Sequence, residues 1–170
     1  MNYIPVNEPL LNGNEKEYLC ECIDKGWISS EGPFVKEFEQ KMSVVVNRGY
    51  GIAVSSGTAA LEIAVQALGI GKGDEVIMPT FTIISCAMAV MKVGAVPVLV
   101  DSDLYTWNMN VDEIEAKITP RTKAIMIVHL YGLPVKVDRV MALAKKFNLK
   151  IIEDAAEMHG QTYNKKPCGS

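Results

Sequence analysis

Gly51-Ile52-Ala53-Val54-Ser55-Ser56-Gly57-Thr58-Ala59-Ala60-Leu61 is the stretch on which the reading of the fold turns. Gly51 to Val54 is a short apolar run of strand character. Ser55 to Gly57 reads as a turn, and Thr58 to Leu68 as a helix of good formers that ends at Gly69, Gly71 and Gly73. A strand that turns sharply into a helix leaves free backbone N–H groups at the helix start, where the helix dipole favours an anion. Gly57 lets a ligand approach the backbone closely, and Ser56 and Thr58 add hydroxyl donors, so the segment reads as a phosphate cradle. The commoner alternative is a plain Ser or Thr helix cap. The segment is neither a Walker P-loop nor a G-x-G-x-x-G fingerprint, because the lysine of the first and the glycine spacing of the second are missing.

Toward the C-terminus the same rhythm repeats. Glu75 to Met78 is a strand, Ser85 to Val93 a helix ending at Gly94, and Val96 to Val100 a strand running into Asp101. Asn110, with Glu113 three residues on, caps a short helix that reaches about Ile118 before Pro120. Ala124 to His129 is a strand, Lys136 to Phe147 a helix, and Ile151 to Glu153 the last clear strand. Short strands, apolar on both faces and alternating with helices, predict an α/β domain: a mostly parallel sheet with helices on both faces. Toward the N-terminus the chain is more polar. Residues 1–47 read as an arm plus two helices, Asn14 to Asp24 and Phe34 to Val46, and residues 48–170 as the α/β domain. Tyr18, Leu19, Cys22 and Ile23 mark an apolar face on the first of those helices.

Composition narrows the function classes. The 170 residues carry a net charge of −3 and are 49% apolar, which suits one globular domain and not a nucleic-acid surface. Cys20, Cys22, Cys86 and Cys168 form no C-x-x-C pair and there are only two histidines, so no metal site is expected. The absence of an export signal and of a disulfide pattern points to the cytoplasm. Phe81 to Val100 has spanning length, yet Lys92, Gly94 and Pro97 interrupt it, and a buried helix followed by a strand explains it better than a membrane segment. Met88, Met91, Met126 and Met141 read as core fillers, His129 and His159 as structural, and Lys145, Lys146, Lys165 and Lys166 as solvated.

In parallel sheets ligands bind beyond the carboxyl ends of the strands. Ile151-Ile152-Glu153-Asp154-Ala155-Ala156-Glu157 delivers carboxylates to that edge. Each needs a partner there, and a positively charged ring nitrogen is one candidate; a cap or a structural ion pair is the other, more so for Glu153. A phosphate cradle after an early strand and an Asp after a later one together suggest pyridoxal 5'-phosphate.

At this point the sequence resembles a known family. Ile4-Pro5-Val6, Gly26-Trp27-Ile28-Ser29-Ser30-x-Gly32 and Ser55-Ser56-Gly57-Thr58-Ala59-Ala60-Leu61 carry the likeness. Gly73-Asp74-Glu75-Val76-Ile77-x-Pro79-Thr80-x-Thr82, Val128-His129-Leu130-Tyr131-Gly132 and Ile152-Glu153-Asp154-Ala155-Ala156-Glu157 continue it in order. The chain resembles the DegT/DnrJ/EryC1/StrS family of pyridoxal-phosphate-dependent sugar aminotransferases, which implies the fold-type I architecture, with this chain covering the front part of the large domain. Trp27 to Ser30 and Glu157 most resemble the perosamine-type branch. The resemblance implies an amino group, drawn from glutamate, transferred to a nucleotide-linked 4-keto-6-deoxy sugar, in lipopolysaccharide O-antigen biosynthesis. It implies that Ser56, Gly57 and Thr58 hold the cofactor phosphate and that Asp154 pairs with the ring nitrogen. The same resemblance implies that Glu157 faces the phenolic oxygen, where the family usually has Gln, and that Trp27, Ser29 and Ser30 lie near the sugar nucleotide. A homodimer is implied too.

Two departures qualify that likeness. Ile83 stands where the family usually has an aromatic residue over the cofactor ring; it covers the ring without stacking, and Phe81 is two residues away. The family's Schiff-base lysine lies beyond a Gly-Ser-Phe-Gly-Asp segment, and this chain ends at Cys168-Gly169-Ser170, so no catalytic residue is assigned within it. Two alternatives therefore stay open: a pyridoxal-phosphate-dependent sugar dehydratase on the same scaffold, and a truncated, non-catalytic protein. A sheet cut short is also expected to expose an apolar edge and so to aggregate or bind a partner.

Overall fold

The structure, a computed structural model, describes residues 3–5 and 8–170. Val6 of the Ile4-Pro5-Val6 motif lies outside the described residues. Four strands form the sheet: β1 (Glu75–Pro79), β2 (Val96–Val100), β3 (Thr122–Val128) and β4 (Lys150–Asp154). Their order is β2-β1-β3-β4, and every pairing is parallel. Helices α1 (Glu15–Asp24), α2 (Pro33–Val45) and α3 (Gly57–Ala67) precede β1, and α4 (Ile84–Lys92), α5 (Ile114–Lys117, entered by a 3₁₀ turn at Val111–Glu113) and α6 (Val137–Phe147) run between the strands.

Period-two alternation splits the sheet into two packed layers. Val76, Met78, Ala124, Met126 and Val128 point to one face and bury against Leu61 and Val65 of α3 and Cys86, Ala89 and Val90 of α4. Ile77, Ile125 and Ile127 point to the other and bury against Ile114, Val140 and Ala144. The expected doubly covered parallel sheet is what forms, and the core lies on both sides of β1 and β3.

Local chemistry sets the ends of the elements. The Asn110 side chain accepts from the Asp112 N–H and donates to Glu113 Oε1 (3.0 Å), starting the short helix as anticipated, although its first turn is 3₁₀. Asn148 closes α6 with a left-handed φ of 54°. At the amino end of the sheet, Glu75 is almost fully buried and accepts from Thr119 Oγ1 (2.5 Å) and Arg121 Nε (2.9 Å). That tie anchors β1 to the approach to β3.

Several expectations are corrected. Residues 51–54 form no strand. No described strand lies beside them: β4 is the sheet's edge on that side, and the Ala53 N–H is instead taken by Glu39 Oε1 (2.9 Å). Neither α1 nor α2 buries a residue; Leu19 and Ile23 are two-thirds exposed, so the apolar face of α1 meets solvent. Of the methionines assigned to the core only Met126 is buried; Met88, Met91 and Met141 sit on the outer sides of their helices and are more than half exposed. His159 is exposed rather than structural. No described helix is long and apolar enough to cross a membrane.

Candidate functional site

The sheet order reverses direction between β1 and β3, which opens a crevice at their carboxyl ends. Two adjoining cavities occupy this edge, sharing Asp154 and Ala156. The larger, about 750 Å³, is lined by Ser56 and Gly57 at the start of α3 and by Asp154, Ala155 and Ala156 beyond β4. The smaller, about 360 Å³, runs from Phe81, Thr82 and Ile83 past His129 and Tyr131 to Asp154 and Glu157. The structure thus brings Ser56, Gly57, Ile83, Asp154 and Glu157 to one edge.

At the helix start, Ser56 is the N-cap: its Oγ accepts from the Ala59 N–H (3.2 Å), so the plain-cap reading is correct as far as it goes. The Ser56 hydroxyl proton stays available to a ligand. A Cβ on Gly57 would meet nothing within 4 Å, so the space over this backbone is open. Thr58 is placed differently. Its Oγ1 pairs with Ser85 Oγ at 2.8 Å, which ties the starts of α3 and α4 together and leaves its backbone N–H as the group facing outward from the helix start.

At the strand end, Asp154 Oδ1 accepts from the Ala156 N–H (3.1 Å), and Oδ2 receives the Cys86 thiol (3.7 Å). Glu153 points the other way, as its neighbour on a strand must. It meets His129 Nε2 at 2.8 Å and the Gly169 N–H at 2.7 Å. Burial pushes the Glu153 carboxyl up, but the His129 and Gly169 hydrogen bonds outweigh that and hold it below its ordinary value. His129 is 1% exposed and its Nδ1 accepts from the Val135 N–H (3.1 Å), so both residues take the structural role. His129, Glu153 and Cys168 also come within 4.8 Å of one another. With Nδ1 accepting, the ring proton sits on Nε2, and the imidazole offers no lone pair to an ion there.

Glu157 donates nothing and accepts the Tyr131 N–H through Oε2. Tyr131 and Gly132 both have positive φ (49° and 81°) and form the tight turn after β3. Ile83 precedes α4, is 62% exposed and faces the smaller cavity; Phe81 lines the same cavity and pairs with Trp107, ring centroids 5.7 Å apart. Trp27 and Ser30 line a separate cavity that has no lining residue in common with either of these, and Ser29 Oγ accepts from the Glu31 N–H beside it. No lysine lines the two adjoining cavities.

The sequence profile of DegT/DnrJ/EryC1/StrS aminotransferases matches residues 9–170. The chain belongs to that family. The GDP-perosamine synthase of Escherichia coli O157:H7 is 51% identical over 170 residues, covering the whole of this chain and 47% of that protein. The GDP-perosamine synthase of Caulobacter vibrioides is 50% identical over 167 residues, covering 98% and 45%. This chain therefore spans about half the length of the curated relatives it matches. Among solved structures, the PLP form of the sugar aminotransferase Spr1654 from Streptococcus pneumoniae superposes with a TM-score of 0.90 at 33% identity, covering 98% of this chain and 46% of that one. NtdA from Bacillus subtilis with bound PMP superposes with a TM-score of 0.82 at 39% identity, covering 86% and 34%.

Within this family member, sequence reasoning missed Cys86 and Ser85. Both lie in the first turn of α4 and face inward, one toward Asp154 and the other toward Thr58. The signal was there in Thr82-x-x-x-Cys86, an i, i+4 pair beside a helix start, but it does not reveal which strand end it meets.

Proposed function

We propose that the protein is a pyridoxal-phosphate-dependent aminotransferase acting on a nucleotide-linked 4-keto-6-deoxy sugar of the perosamine type, with glutamate as donor. The observation that carries this is the single cavity lined at one end by Ser56 and Gly57 and at the other by Asp154. The residues fit the group. The open helix start with a free hydroxyl suits a phosphate, and the carboxylate, fixed at both oxygens, suits a protonated ring nitrogen. The names of the relatives support the sugar and the transfer.

Bound there, the cofactor supplies an electron sink that stabilises negative charge on the substrate carbon. The chain's own residues prepare that chemistry. Ser56 Oγ–H and the backbone N–H groups of Gly57 and Thr58 hold the phosphate. Asp154 keeps the proton on the ring nitrogen, and Ile83 covers one ring face and excludes water from it. Glu157 shares a proton with the phenolic oxygen, since two bare negative charges there would repel. Trp27, Ser29 and Ser30 contact the sugar nucleotide. Their separation from Asp154 within one chain, with exposed Leu104, Tyr105 and Tyr131 at the ligand edge, supports a homodimer in which copies complete each other's sites. Four free cysteines support a cytoplasmic setting.

The test is cofactor binding followed by turnover. Asp154→Ala is expected to weaken pyridoxal phosphate binding at least ten-fold, and Gly57→Val to block the phosphate end. Amination of a GDP-linked 4-keto-6-deoxy sugar by glutamate checks the reaction. Native-like cofactor binding by both variants would falsify the reading.

A further inference from the structure

Cys86 lies in the first turn of α4, fully buried, between a loop and a strand end that both border the smaller cavity. Its Sγ is 3.4 Å from Thr82 Oγ1 and 3.7 Å from Asp154 Oδ2. A carboxylate only accepts, so the single thiol proton goes to Asp154 and the Thr82 hydroxyl proton goes to sulfur. The three groups form a directed chain, Thr82 O–H to Cys86 S–H to Asp154. The other Asp154 oxygen is held by the Ala156 N–H at 3.1 Å. Two donors, one from α4 and one from the turn after β4, thereby fix the plane of the carboxylate.

We propose that Cys86 is a positioning residue for Asp154, and that through Thr82 it couples the carboxylate to the loop carrying Ile83. This rests on the functional reading above. Sulfur suits the task for two reasons. Burial, opposed by the Thr82 hydrogen bond and reinforced by the Asp154 charge, raises the thiol above its ordinary value, so it stays protonated and remains a donor. Its longer reach also spans a separation too wide for an oxygen donor at the same Cβ without a small shift. Thr82 and Ile83 are neighbours in the loop that enters α4, so a displacement of Ile83 is felt at Asp154 through two side chains, Thr82 and Cys86.

The experiment has two parts. The S–H stretching band of Cys86 is isolated as the infrared difference between the native chain and Cys86→Ser. It is expected to sit lower in the native chain than in Asp154→Ala, and an unchanged band in Asp154→Ala overturns the contact. Binding of pyridoxal 5'-phosphate is then measured for three Cys86 variants. Cys86→Ala and Cys86→Val, which cannot donate, are expected to bind roughly three- to ten-fold more weakly, while Cys86→Ser, which can, stays within about two-fold of native. Native-like binding by the Val variant with weakened binding by the Ser variant assigns Cys86 to packing and overturns the proposal. Asp154→Ala separates the two readings. If it binds as tightly as the native chain, the cofactor reading falls and takes the positioning role with it. If it binds weakly while all three Cys86 variants bind normally, only the positioning role falls.

Discussion

At the scale of single residues, the two carboxylates that end β4 show how a strand assigns opposite tasks to neighbours. The Asp154 carboxylate takes the Cys86 thiol and the Ala156 N–H, while that of Glu153 turns back to His129 and Gly169. That division was only half legible in sequence: alternation says the two point apart, but not which one faces the ligand edge. His129 is held from both ring nitrogens, so removing it leaves Glu153 without its partner. His129→Ala is expected to lower stability by about 2–4 kcal/mol, read as a fall in the urea midpoint. Arg48, whose Nε donates to the Gly169 carbonyl (3.1 Å), extends the same network to the segment after α2. The Thr58 hydroxyl is also engaged by Ser85, a contact between residues 27 apart that no local pattern reveals.

Among the elements, those with a strong local signal formed where expected. β1, β2 and β3, α3, α4 and α6 combine apolar runs with glycine stops or caps, and tertiary packing did not override them. Residues 51–54 fail because a strand needs a neighbour, and apolar character alone does not supply one. In the segment of the solvated Lys165 and Lys166, β5 (Thr162–Tyr163) and β6 (Lys166–Pro167) form a hairpin; Asn164 and Lys165, both with positive φ, make it a tight reversal. Glu75 gives an element-level prediction. The Thr119 hydroxyl first, and then Arg121, outweigh burial and hold its carboxyl below 4.5. A folded value below the unfolded one stabilises fully above the ordinary carboxylate range, and that contribution fades as pH falls through the folded value. Glu75→Gln is therefore expected to cost about 1–2 kcal/mol at pH 7, and the gap between the two melting curves to close as pH falls through the folded value of Glu75.

For the molecule as a whole, the sheet order predicts a gradient of local stability. β1 and β3 are paired on both sides and buried on both faces, whereas β4 is an edge among the described residues. Hydrogen exchange is expected to be slowest at Ile77, Met78 and Ile125 to Ile127 and fast at Ile52 and Val54, whose stretch joins no ladder. Uniform protection across these segments would contradict the architecture. The crevice follows from this order too. One wall, Asp154, is carried by the edge strand β4, while the other, Phe81 to Ile83 and Tyr131, is loop.

Glu157 has one more consequence. It takes the N–H of Tyr131, a residue in the left-handed region that a tyrosine enters only at a cost of about 1–2 kcal/mol. Glu157 also lines the smaller cavity, so the carboxylate that holds this turn is within reach of whatever fills the crevice. A ligand group that competes for Glu157 competes with the Tyr131 N–H. Occupancy of the crevice and the tie across its mouth therefore draw on the same carboxylate.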